Sequence, residues 1–329
     1  MTNEENSSLT FQPSNEDAGK RLDAFLAEKI EKWSRSRLKK LIDDGDVLVN
    51  EKRSKASYKL SENDSVEVEL VELPTESFEP EDIPLEIIYE DEFLAVINKS
   101  AGMVVHPGAG ISSGTLANAL AHKFKVQSSK FKVQDDRNTQ IDEIKSQVGI
   151  VHRLDKNTSG LMVVAKNQEI HEALNEQFRE REVYKSYIAL VHGEIEENSG
   201  TINAPIAREK HNRTKMSVRK HGRHALSLWK VKKHFEKFTL IDVEIKTGRT
   251  HQIRVHCAHL NHPVVGDETY NAGRDKSVAD IPIRQAIQRL GRFFLHAHKL
   301  YFTHPQTKEY LKLTAPLPNE LTEFLYLLN

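Results

Sequence analysis

GIVHRLDKNTSGLMVVAK, residues 149 to 166, joins a polar, cationic turn to an apolar run. Asp155 stands in the turn between Arg153 and Lys156, and Thr158-Ser159-Gly160 lead out of it. LMVVAK (161–166) reads as a strand. Asn167 can then cap a helix whose stripe is Ile170, Leu174 and Phe178, with Ala173 beside it. VYKSYIALV (183–191) follows as a strand, and a period of two sets Lys185, Tyr187 and Ala189 on one face. Upstream, EFLAVINK (92–99) is an apolar strand and AGMVVHPGAG a glycine-rich loop. Downstream, LIDVEI (240–245) alternates, and the turn KTGRT leads into a helical HQIRVHCAHL. Strands and helices without a regular βαβ rhythm favour an α+β fold over a doubly wound one.

A chain of 329 residues leaves room for two or three domains. With 38% hydrophobic and 29% charged residues, it has the composition of an ordinary globular protein. No apolar run approaches the roughly 18 residues of a membrane helix. The N-terminus, MTNEENSSLTFQ, lacks the apolar core of a signal peptide. Its one cysteine, Cys257, excludes an internal disulfide and a Cys-x-x-Cys zinc or redox motif. A cytoplasmic location with no membrane partner is expected. The net charge of −1 conceals strong segregation: Glu62 to Glu92 holds 13 acidic and no basic residues, while Arg208 to Lys237 holds 11 Lys and Arg against Glu209 and Glu236. Basic residues gathered on one surface can bind a polyanion even when the whole chain is near neutral, although a solvated face has the same composition.

Residues 1–14 carry few large apolar side chains and are expected to form a disordered tail. From 15 to 72 the pattern is that of a small α/β module. Leu22, Phe25, Leu26 and Ile30 recur at helical spacing, and Ser34 can cap a second helix with Leu38, Leu41 and Ile42 inward. Gly45 stops that helix, DVLVNEKR begins a strand and turn, and SVEVEL (65–70) is another strand. Arg35, Arg37 and Lys39 fall on or near the outer side of the second helix, where short-spaced cations suit phosphate. Residues 73–92, with Pro74, Pro80 and Pro84, read as an acidic linker with the strand that opens a larger domain, 93–329. A polar stretch at 123–147, in which KFKVQ occurs twice, is expected to be a loop insertion.

Three chemistries compete for this chain. His251, His256, Cys257, His259 and His262 crowd one helix, and His296 and His298 form His-x-His on a strand, a spacing that can hold zinc. No HExxH accompanies them, the first cluster scatters around its helix, and no metal site is expected. A nucleophilic hydrolase lacks its Gly-x-Ser-x-Gly elbow. Asp155 remains, either as a structural aspartate in a turn or as a reactive carboxylate. The reactive role needs a cation to keep it ionised and a flat group to grip a planar substrate. Arg254 and Tyr187 are candidates that spacing alone does not select.

HRLDKNTSGLMVVAK (152–166) resembles the catalytic motif of the RluA/RluD-type pseudouridine synthase family. The likeness continues through VYKSYIALVHG (183–193), TGRTHQIRVH (247–256), NHPVVGD (261–267) and LHAHKLYFTHP (295–305). Upstream, DIPLEIIYEDEFLAVINK (82–99), VVHPGAG (104–110) and GTLANAL (114–120) match in order, and the N-terminal module resembles that of ribosomal protein S-four. The resemblance implies a mixed, largely antiparallel sheet with flanking helices behind a small RNA-binding module. It also implies isomerisation of uridine to pseudouridine in RNA without a cofactor. By the resemblance Asp155 is the catalytic aspartate, Arg254 pairs with it, and Tyr187 stacks on the base. Arg21, Arg35, Arg37, Lys39, Arg153, Arg213 and Lys215 are expected to meet RNA. Large-subunit ribosomal RNA, or the assembling large ribosomal subunit, is the expected partner. Transfer RNA or another RNA is the alternative substrate. A non-catalytic ribosome-assembly factor on the same scaffold is the competing reading, which loss of Asp155, Tyr187 or Arg254 would favour; all three are present. Lys99-Ser100 stands where the family has Lys-Pro, and Asn50-Glu51 where the module closes a turn with Asn-Gly.

Overall fold

A computed structural model describes residues 8–30, 38–39, 41–42, 45–69, 79–107, 111–124, 130–134, 140–144, 149–209 and 212–329. The chain divides into two compact units, Met1–Leu73 with Arg208–Thr214, and Pro74–Ala207 with Lys215–Asn329.

The first unit holds strands β1 (Ser8–Phe11), β2 (Val47–Val49), β3 (Lys52–Arg53) and β4 (Val66–Glu69) in the order β1-β4-β2-β3, with helix α1 (Leu22–Lys29). Leu22, Phe25 and Leu26 of α1 pack with Val47, Val49, Val66 and Val68 in one core. Leu38, Leu41 and Ile42 join this core from helical positions, as their spacing predicts. Arg35 and Arg37 lie outside the described residues. Part of the tail expected over 1–14, Ser8–Phe11, is a strand. Ser8–Phe11 pairs antiparallel with β4, and Phe11 meets Phe25 edge to face at 6.2 Å. Backbone pairing along an open sheet edge orders this segment despite its few apolar side chains.

The second unit is built on a ten-stranded sheet. Its early strands are β5 (Glu86–Glu90), β6 (Leu94–Lys99), β9 (Gly149–Ile150), β10 (Ser159–Ala165) and β11 (Tyr184–His192). The later ones are β12 (Ser199–Asn203), β15 (Leu226–Phe235), β16 (Phe238–Ile245), β17 (Leu295–Thr303) and β18 (Tyr310–Thr314). Outside it, β7 (Lys130–Gln134) pairs with β8 (Gln140–Ile144), and β13 (Ile206–Glu209) with β14 (Asn212–Val218). The supposed loop at 123–147 therefore contains an antiparallel ladder. Polar composition hid it, because a ladder joins backbone groups and needs no apolar face.

The main order is β12-β15-β16-β11-β17-β10-β6-β5, with β18 on β17 and β9 on β10. Every pairing is antiparallel except β10 with β17, so the sheet is mixed. Helices cover both faces: α2 (Leu116–Lys123) and α4 (Gln252–His259) on one, and α3 (Gln168–Arg179), α5 (Ile281–Leu290) and α6 (Asn319–Tyr326) on the other. Alternation along the strands follows. Met162 and Val164 face α2 while Leu161 and Val163 face α3; Tyr187 and Ala189 face the first core while Ile188 and Leu190 face α5 and α6. The fold is α+β, as the motif order implied.

Candidate active site

The turn carrying Asp155 stands at the start of β10, the strand that runs parallel to β17. Gly160 pairs with Ala297, and a Cβ on Gly160 would lie 2.3 Å from the Ala297 carbonyl oxygen, so only glycine permits this approach. Tyr187 pairs with the same Ala297 from the other side. One residue of β17 thus brings β10 and β11 together at the level of the turn.

The turn itself is held from several directions. The Thr158 backbone N–H donates to the Asp155 carbonyl at 3.0 Å, and Leu154 is buried below it. Gly102 N–H donates to the Lys156 carbonyl at 2.8 Å. Lys99, 1% exposed, donates from Nζ to the carbonyls of Lys156 (3.1 Å), Ser100 (2.9 Å) and Met103 (2.8 Å). A buried ammonium is tolerable only with its donors satisfied, and these carbonyls belong to the segments that must meet.

Arg254, on α4, donates from Nη1 to Asp155 Oδ2 at 3.1 Å. Its other edge forks onto Asp267, Nε to Oδ2 at 2.7 Å and Nη2 to Oδ1 at 2.9 Å. The guanidinium carbon lies over the rings of Phe293 (4.3 Å) and Tyr270 (5.0 Å). Bidentate pairing and ring faces leave the head group little freedom. Burial opposes the charge on Arg254, yet its two carboxylate partners raise its pKa above the ordinary arginine value. The Asp155 side chain keeps 24% of its surface open, and that opening is what a substrate could reach. Burial alone would raise its pKa; His251 when protonated, Arg254 and Arg153 outweigh that and hold it below the usual carboxylate value. Tyr187, 8% exposed, has its phenol pushed up by burial and by the Asp155 charge, so it keeps its proton.

Asp155, Tyr187 and Arg254 are therefore brought to one place. Arg153 is exposed beside them and acts electrostatically on Asp155. Of the residues expected at RNA, Arg21 forks onto Asp23 (3.0 and 3.2 Å), Lys39 is exposed, and Arg213 lies on β14. The Lys215 ammonium stands over the Tyr270 ring at 5.6 Å. Sequence reasoning missed Asp267, Tyr270 and Phe293 as the frame of Arg254, and Lys99 as the brace of the turn. Only NHPVVGD, read as a motif, pointed towards Asp267.

Three of the histidines weighed as metal ligands have other partners. His296 Nδ1 is 2.9 Å from Ser159 Oγ, His298 Nδ1 2.6 Å from the Ala315 carbonyl, and His256 spans Ser227 Oγ (2.9 Å) and the Ala204 carbonyl (3.0 Å). Among the described residues no three His, Cys, Asp or Glu side chains are grouped to share a metal ion. No described helix is long and apolar enough to cross a membrane.

Residues 93–259 match the RNA pseudouridylate synthase family, and residues 20–66 match the S4 domain. The chain is 39% identical to the uncharacterized RNA pseudouridine synthase YlyB of Bacillus subtilis, over 96% of this chain and 97% of that one. It is also 39% identical to ribosomal large subunit pseudouridine synthase D of Xanthomonas campestris, over 94% of this chain and 88% of that one. Among solved structures, human RNA pseudouridylate synthase domain containing 1 superposes with a TM-score of 0.53 at 28% identity, covering 71% of this chain and 84% of its own.

Proposed function

The chain belongs to the RNA pseudouridylate synthase family and is an RNA pseudouridine synthase, and we propose from that premise that Asp155 is its catalytic carboxylate. The observation that carries this is the Asp155–Arg254 pair, with the guanidinium itself held by Asp267. Isomerising uridine breaks the bond from ribose C1′ to N1 and makes one from C1′ to C5. C5 loses a proton and N1 gains one, so the atoms balance and the reaction needs no electron carrier or other cofactor. A carboxylate can serve by attacking the nucleoside or by removing a ribose proton. Either role requires the anion, which Arg254 maintains.

A uridine stacked in RNA cannot present this bond to Asp155, so the base must be flipped out, at a cost of a few kcal/mol. Stacking on Tyr187 and phosphate contacts offset that cost. Arg153, exposed beside Asp155, fills space near the flipped base. Arg21, Lys39, Arg213 and Lys215, with the basic stretch 208–237, hold RNA backbone. The substrate is large-subunit ribosomal RNA, free or in the assembling subunit, in the cytoplasm. Support for this comes from the relative named as a ribosomal large subunit synthase and from the S4 domain.

The test uses large-subunit RNA transcribed without modification, treated with wild-type protein or Asp155→Asn. Pseudouridine is then mapped by chemical labelling and primer extension. Wild type should give site-specific stops and the variant none, at equal RNA affinity and with only a small loss of Tm. Pseudouridine made by the Asn variant would end the proposal for Asp155. Stops only on transfer RNA would replace the substrate.

A further inference from the structure

His251 stands at the mouth of the same site, one residue before α4, with φ 55° in the left-handed region. Its Nδ1 is 2.8 Å from the Tyr270 hydroxyl, and that hydroxyl accepts from the Met216 backbone N–H at 2.9 Å. Tyr270 is 8% exposed, so its own O–H proton needs an acceptor, and Nδ1 is the one in reach. This fixes the imidazole tautomer: Nδ1 accepts, and Nε2 carries the hydrogen. Nε2 has no hydrogen-bond partner among the described residues, and the side chain is only half-buried. The charged and titratable groups around the ring are Asp155, Arg254, Asp267, Arg153 and Tyr270. The Tyr270 ring that meets His251 edge to face at 5.7 Å also lies 5.0 Å from the Arg254 guanidinium, and Arg254 holds Asp155 at 3.1 Å, so the imidazole and the carboxylate belong to one site.

Resting on the pseudouridine synthase reading above, we propose that His251 donates a hydrogen bond from Nε2 to a carbonyl oxygen of the target uracil. When the C1′–N1 bond breaks, its electron pair passes to the uracil ring and charge grows on the carbonyl oxygens as Asp155 gives up its own, by attack or by taking the ribose proton. A donor already aimed at that charge lowers the barrier without giving up its proton. Burial holds the imidazole pKa below its ordinary value, so the ring is a neutral donor at neutral pH. Tyr270, with its own pKa raised to about 12 mainly by burial, keeps the proton that sets the tautomer. Tyr270 is thus a positioning residue.

The left-handed backbone gives a test in which structure and chemistry pull apart. Asparagine tolerates φ near +55° best among the replacements, but its amide overlays Nδ1; glutamine fits that backbone less well, but its amide reaches the place of Nε2. For wild type, His251→Gln, His251→Asn and Tyr270→Phe, kcat and KM for pseudouridine formation on the large-subunit transcript are compared with Tm. We expect Tm to rank Asn above Gln while kcat ranks Gln above Asn. Asn should fall about 100- to 1,000-fold in kcat with little change in KM, and Tyr270→Phe should fall between. An Asn variant as active as Gln would show a merely structural residue and overturn the proposal. Transcripts bearing 2-thio- or 4-thiouridine locate the contact, because sulfur accepts hydrogen bonds poorly. One of them should slow wild type yet leave His251→Asn no slower than on uridine. If both enzymes slow equally on both transcripts, His251 does not touch a uracil carbonyl. Inactive wild type on every RNA would instead strike the parent reading.

Discussion

Three nitrogens of Arg254 have assigned partners, Nε and Nη2 at Asp267 and Nη1 at Asp155. Asp267 is 1% exposed, so removing it strands a guanidinium that cannot shed its proton. Asp267→Ala should cost about 3–5 kcal/mol in urea unfolding of the second unit, the usual loss on breaking a buried ion pair. Asp155→Asn should cost far less, because that carboxylate is partly open. The pH dependence follows from the directions of the shifts. The folded pKa of Asp155 is depressed, so its stabilising contribution is complete above the unfolded value, about 3.9, and is lost as pH falls through the lower folded one. His251 is depressed too, mainly by burial, so it ionises below the ordinary histidine value of about 6.5. Any midpoint that kcat/KM owes to His251 should therefore lie below about 6.5. A midpoint above about 6.5 that is absent from His251→Gln would contradict this account.

At the scale of the element, the β2–β3 hairpin shows how local sequence and fold can disagree. Val49 pairs with Lys52, and the two residues between, Asn50 and Glu51, have φ of 51° and 65°. Two positive φ values define the mirror-image turn that suits a hairpin's twist, in which the second position favours glycine. Here the backbone keeps that turn and Glu51 bears its strain. Asn50 helps to hold it, since its Nδ2 donates to Asp64 and its Oδ1 accepts from the Ser65 N–H at 2.8 Å. Glu51→Gly should stabilise the N-terminal unit by about 0.5–1 kcal/mol, read as a higher urea midpoint. A lower midpoint would mean that the Glu51 side chain contributes more than its backbone costs. Asn167 presents the opposite case: its Oδ1 accepts from Ile170 N–H at 2.9 Å, and α3 begins where the sequence says it should.

Over the whole molecule, a net charge of −1 coexists with a basic stretch from 208 to 237. Near-neutral chains bind RNA through such local excess, and the binding is driven by release of counterions. RNA affinity should therefore fall steeply with added salt, and Lys39→Glu together with Lys215→Glu should flatten the dependence. Each lost phosphate contact lowers the slope of log K against log salt by about 0.7–0.9. An unchanged slope would remove both residues from the RNA surface.

The helices around Leu22, Ile170 and Ile253 and the strands expected at 161–166 and 183–191 were legible in the chain itself, whereas Tyr187 and Arg254 were singled out beside Asp155 only by the resemblance of their motifs. Periodicity, capping and ordered motifs are local properties, and they survive without coordinates. The ladders at 8–11 and 130–144 were not legible, because backbone hydrogen bonds can order polar residues that no hydrophobic pattern marks. Nor was the frame of the site. That β10 runs parallel to β17, that Ala297 pairs with both Gly160 and Tyr187, and that Asp267 grips Arg254 depend on contacts between residues 13 to more than 130 positions apart. Sequence determined which side chains this protein could use. The packing of distant segments decided which of them meet, because charge pairing and tautomer choice act over a few ångströms of space, whatever the distance along the chain.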